Sequence, residues 1–167
     1  MKVGNGEIQT KIDAMREKFI GVMADPVVME IEPGSIKRFA DAVGDTNPLW
    51  CDEDYAKNTE NGSIVCPPGF FGWPAKQGPM LPGPMVTMMM EFAVAGFPGV
   101  LDGGVDYEFF IPIRPGDVIV ASAKIADIYA KEGKTGPSVF GVLETTYTNQ
   151  NGTVAAKGRM TVIGRQA

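Results

Sequence analysis

From Val105 to Gly164 the chain reads as four long runs with strand patterning: VDYEFFIPI, DVIVASAKIADIYA, PSVFGVLETTYTNQ and TVAAKGRMTVIG. Turn signals separate them at Arg114 to Gly116, Glu132 to Gly136 and Asn149 to Gly152, and Asn151 followed by Gly152 is a hairpin signal because both residues tolerate positive φ. Nothing helical interrupts the series, so the second half of the chain is expected to be an antiparallel meander. Such a sheet must cover one face with something apolar. Met85 to Ala95 has no internal Gly or Pro and is apolar on nearly every side, the mark of a helix that is buried all round. An α+β class follows, with this helix lying against the inner face of the sheet.

The first half supplies shorter elements. Ile8, Ile12, Met15 and Phe19 share one side of an amphipathic helix at about residues 7–20, expected to pack on the outside. Val27 to Glu32 reads as a strand. Pro33, Gly34 and Ser35 open a helix with Ile36, Phe39, Ala40 and Val43 as its apolar positions, and Gly44 is placed to end it. Asp52 is expected to cap a short helix through Tyr55 and Ala56, with Glu53 and Asp54 as dipole partners rather than a catalytic acid cluster. The whole chain, 1–167, is expected to form a single domain.

Composition narrows the functional classes. The net charge of -5 comes with no basic run, which argues against a nucleic-acid partner. The stretch Met80 to Val100 is broken by prolines and glycines and carries Glu91, so it is a poor membrane span. A cytoplasmic location is expected, since the N-terminus lacks an apolar core followed by a cleavage site. Two cysteines, Cys51 and Cys66, and no histidine give neither a disulfide framework nor a zinc set, so no metal is expected.

Three segments carry a family resemblance: Val43 to Ala56, the IVCPP step at Ile64 to Pro68, and FFIPIRPGDVI at Phe109 to Ile119. Together they resemble the MaoC-like dehydratases, a branch of the hotdog-fold (R)-specific enoyl-CoA hydratases, over about Lys18 to Arg165. The resemblance implies a single hotdog fold, an antiparallel sheet of about five strands wrapped around a central apolar helix. It also implies an acyl-CoA-type thioester as ligand, with CoA or an acyl carrier as substrate carrier and no further cofactor. In active relatives an aspartate and a histidine five positions later hold the water that adds across the enoyl double bond. Here the aspartate matches Asp45, the candidate catalytic residue, while the histidine position is Trp50.

That exchange matters chemically. Hydration of a 2-enoyl thioester needs a base at Cβ, an acid at Cα and donors for the thioester oxygen. Indole offers one N–H donor and no acceptor, so Trp50 does not relay protons, and ~10²- to 10⁴-fold of acid/base help is forfeited unless another group supplies it. A second departure falls where relatives carry His-Gly with an oxyanion-binding amide. The matching positions here are Pro67 and Pro68, which have no N–H, leaving Gly69 as a neighbouring donor. One lost donor costs ~10² to 10³ in rate.

Both losses resemble the degenerate subunit of heteromeric members of the family, which shapes the acyl tunnel while a partner carries Asp and His. The resemblance therefore implies a substrate-binding or scaffold subunit of an acyl-thioester hydratase/dehydratase, inactive alone, paired with a catalytic MaoC-like chain or with itself as a homodimer. Asn47, Trp50, Cys66, Gly69, Phe70, Phe71 and Met88 are its candidate substrate contacts. Met80 to Met90 with Phe70, Phe71, Trp73, Phe92 and Phe97 reads either as tunnel lining or as core, and methionine suits both. Likewise, GDTNP either retains a role for Asp45 or merely shapes a turn. Lys131, Lys134 and Arg159 are further candidates for CoA phosphates. The rival functions are a self-sufficient Asp45-dependent hydratase or thioesterase, and a non-catalytic acyl-CoA binding module.

Overall fold

The computed structural model describes residues 5–70, 83–134 and 136–166. The elements run α1 (Asn5–Phe19), β1 (Val27–Glu30), α2 (Pro33–Val43), a single 3₁₀ turn (Pro48–Trp50), α3 (Glu53–Lys57), α4 (Gly83–Val94), β2 (Gly99–Phe109), β3 (Val118–Gly133), β4 (Gly136–Asn149) and β5 (Val154–Arg165). The strands form one antiparallel sheet in the order β1-β3-β4-β5-β2. The expected α+β class and the five strands are both present.

The central helix lies on the sheet because the sheet makes room for it. Met85, Met88 and Phe92, one side of α4, have no exposed surface and pack with Ala123, Ile125, Ile128, Val139, Leu143 and Val162. Gly141 on β4 is a close approach: a Cβ there would stand 2.8 Å from Met88 Sδ and 3.1 Å from Phe92 Cζ. The α1 residues Ile8, Ile12, Met15 and Phe19 join this core against β3 and α4. Arg16 Nη1 fastens the helix, donating to Asp127 Oδ1 and to the Ile128 carbonyl, each at 2.5 Å. The opposite side of α4 is not buried. Val86, Met90 and Val94 recur every fourth residue and remain exposed, Val94 at 83%.

A second core holds the other end of the sheet, with Ile31, Ile36, Ala40, Trp50, Val65, Phe70, Ile113, Tyr147 and Ala156. The α2 helix ends where the glycine was expected, Gly44 taking φ 71 and donating to Ala40 and Asp41. Val43, expected on its apolar side, is instead 59% exposed, and the helix buries Ile36 and Ala40. The first long strand also differs from the VDYEFFIPI reading. It begins at Gly99 and ends at Phe109, since Phe110 and Ile111 turn their amides to the Ala155 carbonyl and leave the ladder. At the β4–β5 hairpin only Gly152 of the Asn151–Gly152 pair takes positive φ. Asn149 builds the turn itself, its Oδ1 accepting the amides of Asn151 and Thr153 at 3.0 Å. Among the described residues no helix is long and apolar enough to cross a membrane.

Candidate active-site cleft

Once α2 stops at Gly44, the chain folds back through nested side-chain turns. Asp45 Oδ1 accepts the Asn47 amide at 3.1 Å, and Asn47 Oδ1 accepts the Leu49 amide at 3.0 Å. Asp and Asn favour such bends because a short side chain can replace the next backbone acceptor. Pro48 then starts the 3₁₀ turn, which returns Trp50 to Asp45, and the indole Nε1 donates to Asp45 Oδ2 at 2.8 Å. Trp50 is 9% exposed and packs in the second core. Each oxygen of the Asp45 carboxylate therefore accepts a hydrogen bond from the protein itself.

The consequence for chemistry is direct. A histidine opposite an aspartate offers a nitrogen that alternates between donor and acceptor, whereas an indole only donates. Asp45 and Trp50 form a pair in which the carboxylate's side-chain partner is a donor only and relays no proton.

Beside the indole lies a cavity of about 360 Å³, at the small end of the roughly 300–1,000 Å³ usual for ligand sites. It is lined by Trp50, Asn61, Val65, Cys66, Pro68 and the run Phe109 to Ile113. Two segments make its walls: residues 64–68, tied across by the Cys66 amide to the Ile113 carbonyl at 2.8 Å, and the chain leaving β2. The lining is mostly apolar. Cys66 has a thiol pushed up to about 12, chiefly by burial and then by the nearby Asp117 charge, so it stays protonated and non-nucleophilic at neutral pH. Tyr107 and Tyr147 stand behind this wall. Tyr107 stacks on Phe109 with ring centroids 5.8 Å apart and hydrogen-bonds Tyr147, and burial raises the pKa of both hydroxyls.

The candidate contacts are distributed unevenly. Trp50 and Cys66 line the cavity, while Asn47 sits one turn away as a backbone staple. Gly69, with φ 85, lies against Phe39. Phe70 packs edge-on to Phe39 at 5.8 Å and is buried, as is Met88, which stands in the core under α4. Phe92 and Phe97 are core as well. Phe71, Gly72, Trp73, Pro74 and the start of the Met80 to Met90 run lie outside the described residues. Lys131 rests over the rings of Tyr129 and Phe140, and Arg159 pairs with Glu144, so neither lines the cleft. Sequence reasoning missed Asn61, Val65 and Phe109 to Ile113 as lining. The available signal was FFIPI, whose Pro112 marks where a strand must stop pairing. Among the described residues no cluster of His, Cys, Asp or Glu could hold a metal ion.

Fold and cleft together define a hotdog-fold protein of the hydratase and dehydratase type, with an aspartate held by a tryptophan. Residues 18–157 match the family model described as FAS1-like, dehydratase domain region, and the chain belongs to that family. It is 30% identical over 133 residues to a probable enoyl-CoA hydratase alpha subunit of Thermomonospora curvata, covering 74% of this chain but only 41% of that relative. In fold it is similar to the ChsH1-ChsH2 complex of Mycobacterium tuberculosis, with TM-score 0.79, 20% identity, and 98% of this chain and 93% of that one covered. The MaoC-like dehydratase of Rhodospirillum rubrum gives TM-score 0.56 and 22% identity over 89% and 93% of the two chains.

Proposed function

We propose that this chain is the substrate-binding and scaffold subunit of a heteromeric acyl-thioester hydratase/dehydratase, with the catalytic Asp and His supplied by a partner chain. The observation that carries the reading is the Asp45–Trp50 pair, in which the group opposite the carboxylate is a donor-only indole and each carboxylate oxygen accepts a protein N–H. Pro67 and Pro68 add to it by withholding backbone N–H groups beside the cleft.

The surface supports a partner. Among the described residues strand β2 pairs with β5 alone, and ten of its eleven residues are exposed, an edge that another strand can meet. Val86, Met90 and Val94 of α4, and Val100, Leu101, Val105 and Phe109 of β2, the next element in the chain, are large exposed apolar residues of the kind another chain can cover. The similar structure from M. tuberculosis is itself a complex of ChsH1 with ChsH2, and the T. curvata relative is named an alpha subunit. The phosphates of CoA and a thioester acyl chain are the expected ligand chemistry.

The test is to assay crotonyl-CoA hydration with the purified chain, then with a co-expressed hydratase-like chain carrying the intact aspartate and histidine. Turnover is expected only from the pair, and it should survive Asp45→Asn in this chain. Strong hydration by this chain alone, abolished by Asp45→Asn, would overturn the proposal.

A further inference from the structure

Among the described residues six basic residues pair with carboxylates: Lys11 with Glu7, Arg16 with Asp127, Lys18 with Glu91, Lys57 with Glu53 and Asp54, and Lys124 and Arg159 with Glu144. Arg114 is different. Its guanidinium is held by backbone carbonyls, Nη2 donating to Asn61 at 3.1 Å and Nη1 to Pro112 at 3.4 Å, and both of those residues line the cleft beside Trp50. The acid nearest in sequence, Asp117, is occupied elsewhere. Its Oδ2 accepts the Arg114 backbone amide at 2.8 Å and its Oδ1 accepts Gln150 Nε2 at 3.0 Å. Among the described residues no carboxylate forms an ion pair with the guanidinium, and the side chain is only half-exposed.

Two carbonyls orient the planar group without neutralising it, which leaves its remaining N–H fork for an anion. The guanidinium is thus fixed next to a mostly apolar cavity of about 360 Å³ by the carbonyls of two of its lining residues and not by a carboxylate, on a chain whose net charge is -5. That combination matches an amphiphile with a single anionic head far better than a neutral hydrophobe.

We propose that Arg114 is the anion-selecting residue of the cleft: the ligand's apolar chain lies among Trp50, Cys66 and Phe109 to Ile113, and its carboxylate or phosphate is bound by the Arg114 guanidinium. The inference rests on the acyl-binding reading above and sharpens it by assigning the charged part of the ligand to a residue.

Binding to the full-length chain, followed by calorimetry, tests it with four probes: decanoyl-CoA, decanoate, the neutral thioester decanoyl-N-acetylcysteamine, and decanol. Anionic probes are expected to bind at least tenfold more tightly than neutral ones. Arg114→Gln should remove that margin while leaving decanol affinity within twofold, and Arg114→Lys should recover part of it. A margin for decanoyl-CoA alone identifies phosphate as the head group, and one for decanoate as well identifies any single anion. Should Arg114→Gln fail to fold, wild-type binding across a salt series decides, because anionic affinity must fall with ionic strength and decanol affinity must not. Equal affinity for charged and neutral probes, equal loss of both in Arg114→Gln, or no binding of any probe overturns the assignment. Failure of the hydratase reading is separate, since it shows as absent turnover with the partner chain while these binding margins persist.

Discussion

The Asp45–Trp50 hydrogen bond sets a measurable stability term. A hydrogen bond to a charged group contributes about 1.5–3 kcal/mol, and the exposure of Asp45 on one side puts this one at about 1.5 kcal/mol. Asp45→Ala also removes the acceptor for the Asn47 amide at 3.1 Å, adding about 1 kcal/mol. Trp50→Phe removes the indole N–H and part of a side chain that is only 9% exposed, so the single variants are each expected to lose about 2–3 kcal/mol. The shared bond is lost only once, so the double variant must fall short of the sum by about 1.5 kcal/mol. Urea unfolding followed by far-ultraviolet circular dichroism measures all four corners of the cycle. With a slope of about 2 kcal/mol/M the shortfall is a midpoint difference of about 0.75 M. A coupling within the roughly 0.3–0.5 kcal/mol typical of independent sites would refute the view that the indole fastens the carboxylate, and with it the argument from this pair to function.

Three further outcomes are expected. Gly141→Ala places a Cβ 2.8 Å from Met88 Sδ and should cost about 1–3 kcal/mol by overpacking, with Met88→Ala in the same chain recovering part of the loss in a thermal melt. Val94→Lys, on an 83% exposed position of α4, should leave chain stability within about 0.5 kcal/mol yet weaken association with a partner chain on size-exclusion chromatography. Near pH 8, iodoacetamide should alkylate exposed Cys51 and spare Cys66. The Cys66 thiol has a folded-state pKa raised from 9.0 to about 12, so unfolded chains ionise first and stability should fall as pH rises from about 9 to about 12, a slope that Cys66→Ala reduces in alkaline unfolding curves.

Local chemistry wrote much of this molecule plainly. The end of α2 at Gly44 and the Asp52 cap, whose Oδ1 accepts the Tyr55 amide at 2.9 Å, rest on interactions between residues close in sequence, and the three long strands after Pro115 on local strand patterning and turn signals. The strand β2 was harder to read because the glycines at 103 and 104 hide its first half, where the register shifts between Asp102 and Val105. Phe70 and Met88 show the other limit. Their residue types suit a ligand tunnel and a core equally well, and only the approach of α4 to Gly141 puts Met88 in the core.

The sequence alone determined that position 50 carries an indole and not an imidazole, and that Pro67 and Pro68 offer no amides, because both follow from which atoms each residue carries. It also set the α+β order of one apolar helix before a meander. The tertiary structure decided what those atoms do. It closed the indole onto Asp45 Oδ2, brought residues 64–68 against the chain leaving β2 to make the cleft, and set Arg114 beside that cleft with carbonyls for partners. The last two join segments about fifty residues apart, and their geometry depends on where β2 ends, which no local pattern of residues encodes.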